Sequence, residues 1–158
     1  MKAVILFNIV VVSVISLFVA KNGTAQSGSP LNLEQAKEAI AKSNAIYFQS
    51  FVKNDPSIFI NRYAEDCVIL APNMPSLAGH KGAAEFFKLA YEKFQLRDGK
   101  FITTAVYGEG GNFVTEEGIW QSFDANHKMF DDGKFLVLWK RTPAGWKMFR
   151  DSFSSNHK

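Results

Sequence analysis

Apolar residues along the chain follow a helical period up to about residue 95 and an alternating one after it. Leu33, Ala36, Ile40, Tyr47, Phe48 and Phe51 recur at helical spacing, while Lys37, Glu38, Lys42 and Gln49 fall largely elsewhere. This predicts a first helix from near Asn32, with Asn32 as its N-cap and Gln35 as capping-box partner. Asn54-Asp55-Pro56 stops it. Asp55 then reads as the N-cap of a second, short helix with Pro56 at its first position, and Phe59 and Tyr63 share its buried side. Cys67 to Ala71 is a short apolar strand. Pro72-Asn73-Met74-Pro75 is a loop, because two prolines cannot serve an interior ladder. Gly79-His80-Lys81-Gly82 leads into a third helix whose stripe is Ala83, Phe86, Phe87, Ala90, Tyr91 and Phe94.

After Gly99 the chain reads as extended. Strands are predicted at Phe101 to Tyr107, Phe113 to Phe123, Lys134 to Thr142 and Trp146 to Phe153. They are joined by a Gly-rich turn at Gly108 to Asn112, a polar connection from Asp124 to Gly133, and a tight turn at Thr142-Pro143-Ala144-Gly145. Three helices segregated from a mostly antiparallel sheet make the fold class α+β.

The N-terminus changes the picture of where the chain works. Met1-Lys2 opens with a positive charge, Ala3 to Ala20 carries none, and Gly23 and Ala25 fit a cleavage site before Gln26. Residues 1–25 are expected to be a secretory signal peptide, the alternative for so long an apolar run being an uncleaved anchor, and 26–32 a Gly/Ser linker, so the domain of 33–156 is expected in the periplasm or outside the cell. No membrane attachment is expected after removal. The charge argues against nucleic acid: without residues 1–25 the chain has 16 basic and 15 acidic residues and no basic run. The single cysteine, Cys67, excludes an intramolecular disulfide framework and a cysteine-based zinc cluster, and it opens an apolar strand as an inert thiol would. His80, His127 and His157 have no spacing that suggests a metal site, and Gly108-x-Gly110-Gly111 is a hairpin rather than a phosphate loop, because no helix follows it. Neither a metal nor a cofactor is expected.

Three stretches carry a family resemblance. They are Tyr63-Ala64-Glu65-Asp66-Cys67-Val68-Ile69-Leu70-Ala71-Pro72, Leu77-Ala78-Gly79-His80-Lys81-Gly82-Ala83-Ala84-Glu85-Phe86-Phe87, and Trp139-Lys140-Arg141 followed by Gly145-Trp146-Lys147-Met148-Phe149-Arg150-Asp151. With the element order, they resemble the nuclear transport factor 2-like superfamily, and within it the small bacterial members of the DUF4440 type. The resemblance implies the cone-shaped fold shared with ketosteroid isomerase and the SnoaL-like polyketide cyclases. It also implies a homodimer.

A curved sheet covered by helices encloses a tapering cavity, and the 13 Phe, 3 Trp and 4 Tyr beyond residue 25 suit its walls or its core. The polar residues among them are the candidates for chemistry. Asp151 stands between Phe149 and Phe153 in a strand, where Asp is disfavoured. It is either a carboxylate at the cavity wall, able to abstract a proton or donate a hydrogen bond, or a structural group in a salt bridge to Lys140, Arg141 or Arg62 or in a hydrogen bond to a loop. Tyr63 is either a donor into the cavity or a core ring with a wet tip. In ketosteroid isomerase a carboxylate base works with an oxyanion hole of Tyr and protonated Asp. Here the resemblance offers Asp151 with Tyr63, and no complete triplet at matching positions. The polyketide cyclases use an Asp–His arrangement, for which His80 is the candidate, its alternative being a capping role.

Trp120 and Trp139 on neighbouring strands are candidates to stack on a planar ligand or to pack in the core. Asn73 and Met74 either cover the cavity mouth or merely connect, and Asp66 either reaches the ligand or closes a turn. Phe149 and Phe153 complete the expected ligand contacts. Three functions follow: an exported domain binding a small apolar or aromatic molecule; a cofactor-independent isomerase, cyclase or dehydratase using Asp151 as acid and base; or a dimeric interaction module without a ligand. The first requires a roomy cavity, the second a second polar group near Asp151, and the third a cavity filled by rings. Leu136 and Leu138 oppose Phe135, Val137 and Trp139 across one strand, which favours a covered outer face and hence a homodimer.

Overall fold

The computed structural model describes residues 30–157. The expected signal peptide, and residues 26–29 of the expected linker, lie outside the described residues. The first helix, α1 (Pro30–Tyr47), begins two residues before the predicted start, so Asn32 lies inside it and does not cap it. It buries Ala36, Ile40 and Tyr47 and is followed by α2 (Gln49–Lys53). The interruption at Phe48 is bridged by the buried Ser50 hydroxyl, which donates to the Tyr47 carbonyl at 2.7 Å. Asn54 ends α2 in the left-handed region, at φ 52°. Asp55 caps α3 (Pro56–Ile60) as its sequence predicts, accepting from the Ser57 N–H at 2.9 Å.

Strand β1 (Tyr63–Leu70) starts four residues before the predicted Cys67. Tyr63 and Asp66 therefore sit on a strand and not at a helix end. The loop with two prolines leads to a two-residue strand, β2 (Leu77–Ala78), which no sequence pattern announces. Helix α4 (Gly79–Glu92) buries Ala83, Phe86, Phe87 and Ala90. Phe94, expected on its stripe, lies beyond its end and is 54% exposed.

The remaining strands are β3 (Asp98–Tyr107), β4 (Phe113–Phe123), β5 (Met129–Thr142) and β6 (Gly145–Ser155). Strand β5 begins inside the stretch expected to be a polar connection, because Asp131, Asp132 and Gly133 pair with Ser122, Gln121 and Trp120 of β4. The sheet order is β2-β1-β6-β5-β4-β3. Its pairs are antiparallel except β1 with β6, so first and last long strands meet in the interior of the sheet.

Helices and sheet enclose the core on the sheet's inner face. Val114, Glu116, Gly118, Trp120 and Ser122 alternate inward on β4, as do Gly133, Phe135, Val137 and Trp139 on β5. At one end the rings close on each other: Phe51 stacks on Phe87 at 4.8 Å, and Phe59 lies 5.0 Å from both Tyr47 and Tyr63. The other end is open.

Candidate functional site

Two glycines shape the floor of the open end. A Cβ on Gly118 would stand 2.6 Å from the Phe135 ring, and one on Gly133 would stand 2.8 Å from the Trp120 ring. Without those Cβ atoms both rings lie close over the sheet backbone, and the Trp120 indole N–H donates to the Ser154 carbonyl at 3.2 Å. Above them is a cavity of about 650 Å³. Its walls are mainly Phe48, Phe86, Leu89, Phe101, Phe135 and Phe153, and its rim is formed by Asn73, Met74, Phe94, Phe130 and His157. A separate depression of about 550 Å³ on the outer face, lined by Thr104, Glu117 and Leu136, lies away from this chemistry.

Asp151 is at the inner end of the cavity, 7% exposed. It pairs with Ile69 of β1 on one side and Val137 of β5 on the other, which carries its side chain inward beside Tyr63. The Tyr63 hydroxyl donates to Asp151 Oδ2 at 2.6 Å, and the Tyr47 hydroxyl lies 3.4 Å from that of Tyr63. Burial pushes the Asp151 carboxyl up to about 6; the Tyr63 hydrogen bond opposes this, and the negative charge of Glu116 adds to it. Both phenols are pushed well up, first by burial and next by the charge on Asp151. Of the two, Tyr47 lines the cavity, while Tyr63 holds Asp151 from behind.

Glu116 escaped the sequence reading. It is fully buried one strand beyond Val137, in the same row as Asp151. Its carboxylate accepts from the Asn44 amide at 2.7 Å, the Thr103 hydroxyl at 2.6 Å and the Trp139 indole N–H at 2.9 Å. Burial raises its pKa, against the pull of those three donors. The signal that finds it is the alternation of β4, which places Glu116 on the same face as Val114 and Trp120.

The cavity brings together Asp151, Trp120, Phe153, Asn73 and Met74 from the expected set, with Tyr63 against Asp151. Four others are placed elsewhere. Trp139 is fully buried and spends its N–H on Glu116. Asp66 is in an ion pair with Lys140 at 2.6 Å on the outside. His80, in the first turn of α4, is 3.1 Å from the Tyr63 carbonyl through Nε2. Phe149 was expected on the face of Asp151, but a shift in the β5–β6 register between Leu138 and Trp139 puts it on the other side. There Arg150 and Lys140 cover its ring at 3.6 and 4.9 Å. None of the three salt bridges considered for Asp151, to Lys140, Arg141 or Arg62, is realised among the described residues. No group of three His, Cys, Asp or Glu side chains among them is arranged to hold a metal ion.

A carboxyl titrating near neutrality among rings can accept a hydrogen bond, donate one, or exchange a proton with a molecule in the cavity. No family model and no curated protein matches the chain. Solved structures do. A ketosteroid isomerase-like protein from Erwinia carotovora is 18% identical with a TM-score of 0.61, covering 80% of this chain and 98% of its own. An NTF2-like protein of unknown function from Shewanella oneidensis is 15% identical with a TM-score of 0.63, covering 75% and 98%. An NTF2-like protein with a cystatin-like fold from Novosphingobium aromaticivorans is 16% identical with a TM-score of 0.63, covering 80% and 85%. At such identities the likeness speaks to the fold, and the chain has the α+β NTF2-like fold that its sequence resembles.

Proposed function

We propose that the domain binds a small, largely apolar molecule in the cone cavity, with Asp151 meeting the ligand's polar group. The observation that carries this reading is a buried carboxyl at the inner end of an apolar cavity of about 650 Å³. That volume falls within the range usual for small-molecule sites. Asp151 keeps one oxygen on Tyr63, so the other is left for a ligand. The cavity is not packed solid with rings, which speaks against an interaction module without a ligand. The test is titration with an apolar fluorescent dye, read through the emission of Trp120 in the cavity wall. Saturable quenching that Trp120→Phe abolishes is the expected result; no change in emission at any dye concentration refutes it.

A second reading, catalysis by proton transfer, is favoured by the position of the Asp151 pKa at about 6. A base near the operating pH combines the needed protonation states best. It predicts that solvent deuterium enters the carbon next to a bound ketone's carbonyl and that Asp151→Asn stops this. Equal incorporation by both proteins would remove the catalytic assignment.

Export and self-association belong to the same proposal. Removal of residues 1–25 is supported by their layout alone and predicts a purified chain beginning at Gln26. A homodimer is supported by the outer sheet face, where Ile102, Ile119 and Leu136 are 42%, 39% and 52% exposed.

A further inference from the structure

The in-register strands arrange the cavity floor in rows. Glu116, Val137 and Asp151 form the innermost; Gly118, Phe135 and Phe153 the next; Trp120, Gly133 and Ser155 the third; and Ser122 with Asp131 the outermost. Carboxylates stand in the innermost and outermost rows, and the two rows between them carry the rings of Phe135, Phe153 and Trp120. Asp151 and Ser155 are four residues apart on one strand, which at about 3.3 Å per residue separates them by about 13 Å.

The outer end is built. Asp131 Oδ1 accepts from the Ser155 hydroxyl at 2.7 Å and from the Asp132 N–H at 2.8 Å. Its Oδ2 has no hydrogen-bond partner among the described residues. The segment after β6 is fastened across this place: the Asn156 amide donates to Asp132 Oδ2 at 2.7 Å, and His157 Nε2 lies 2.6 Å from Asp132 Oδ1. Asp131, Ser155 and Ser122 all line the cavity, and no Lys or Arg among the described residues does.

We propose that Asp131 is a second polar anchor, and that the cavity takes an elongated, uncharged molecule with an apolar body, a hydroxyl at its outer end and a second oxygen function at its inner end. This rests on the binding reading above and names its ligand class. The free Asp131 oxygen is an acceptor, so the outer group must donate. A carboxylate at either end meets a like charge or a buried carboxyl with no cation beside it. An ammonium group sheds more hydration against these apolar walls than one ion pair at a half-open mouth returns.

The test uses three probes, trans-4-hydroxystilbene, trans-4,4′-dihydroxystilbene and trans-4,4′-stilbenedicarboxylate, with the full domain and its variant Asp131→Asn, which exchanges the free acceptor for a donor at nearly constant shape. The dihydroxy probe is expected to bind wild type about tenfold tighter than the monohydroxy probe, the scale of one hydrogen bond to a charged acceptor. The dicarboxylate is expected to bind more weakly than either. In Asp131→Asn the tenfold ratio is expected to fall to about one on the same basis. Equal affinities of the two hydroxystilbenes for wild type, or a ratio that survives the substitution, overturns the second anchor and leaves the binding reading standing. Absence of binding by every probe overturns both. If Asp131→Asn does not fold, the comparison within wild type decides alone.

Discussion

Asp151 is held by one hydroxyl in surroundings that favour its neutral form. Its folded pKa of about 6 stands above the 3.8 of an unburied Asp. The folded protein thus binds this proton more tightly than the unfolded chain does, so the associated stability is complete below about pH 4 and is lost as the pH rises through about 6. That gap corresponds to about 3 kcal/mol. Urea unfolding of wild type and Asp151→Asn should therefore diverge by about that amount between pH 4 and pH 7, in the variant's favour. Parallel curves would mean that the carboxyl titrates as if in water. Tyr63→Phe deletes the hydrogen bond that favours the ionised form. It should move the Asp151 titration upwards, as followed by carboxyl carbon NMR; a downward movement would contradict the donor role. The sequence revealed Asp151 because an Asp between rings in a strand needs a reason. It did not reveal which reason, since Tyr63 is 88 positions away and reaches it only through a parallel pairing. Glu116 was missed although its parity on the strand marks it, whereas Phe149 was misplaced by a bulge that alternation cannot show.

At the scale of elements, the helices α1, α3 and α4 and the long strands follow from periodicity, and α3 also from its Asp55 cap, both of which are local. What escaped depends on partners. The first residues of β5 are polar and look like loop until β4 supplies their pairing. The two residues of β2 are too few to carry a pattern. The fit of rings over glycines is likewise a tertiary matter. Gly133→Ala would drive a methyl against the Trp120 ring and the Ser154 carbonyl. A loss of about 3 kcal/mol is expected, at the upper end of overpacking. Gly111→Ala, with nothing within 4 Å, serves as the control and should change stability by less than about 1 kcal/mol. Equal urea midpoints for the two variants would show that the floor yields without strain.

At the scale of the whole molecule, the inner sheet face is accounted for by helices and cavity, and the outer face remains apolar in the middle. Leu136→Lys places a charge at the centre of that face. If two copies meet there, light scattering on a sizing column should give the dimer mass for wild type and the monomer mass for the variant; identical masses would remove the outer face from the account of assembly. The order of the strands has a further consequence. The pairing of β1 with β6 joins the first long strand of the domain to its last, so β1 waits without its main neighbour until the rest of the sheet has been made. A nascent chain halted at Pro143 would present an open-edged half-sheet to chaperones and proteases, and Asp151, at the inner end of the cavity, would not yet exist.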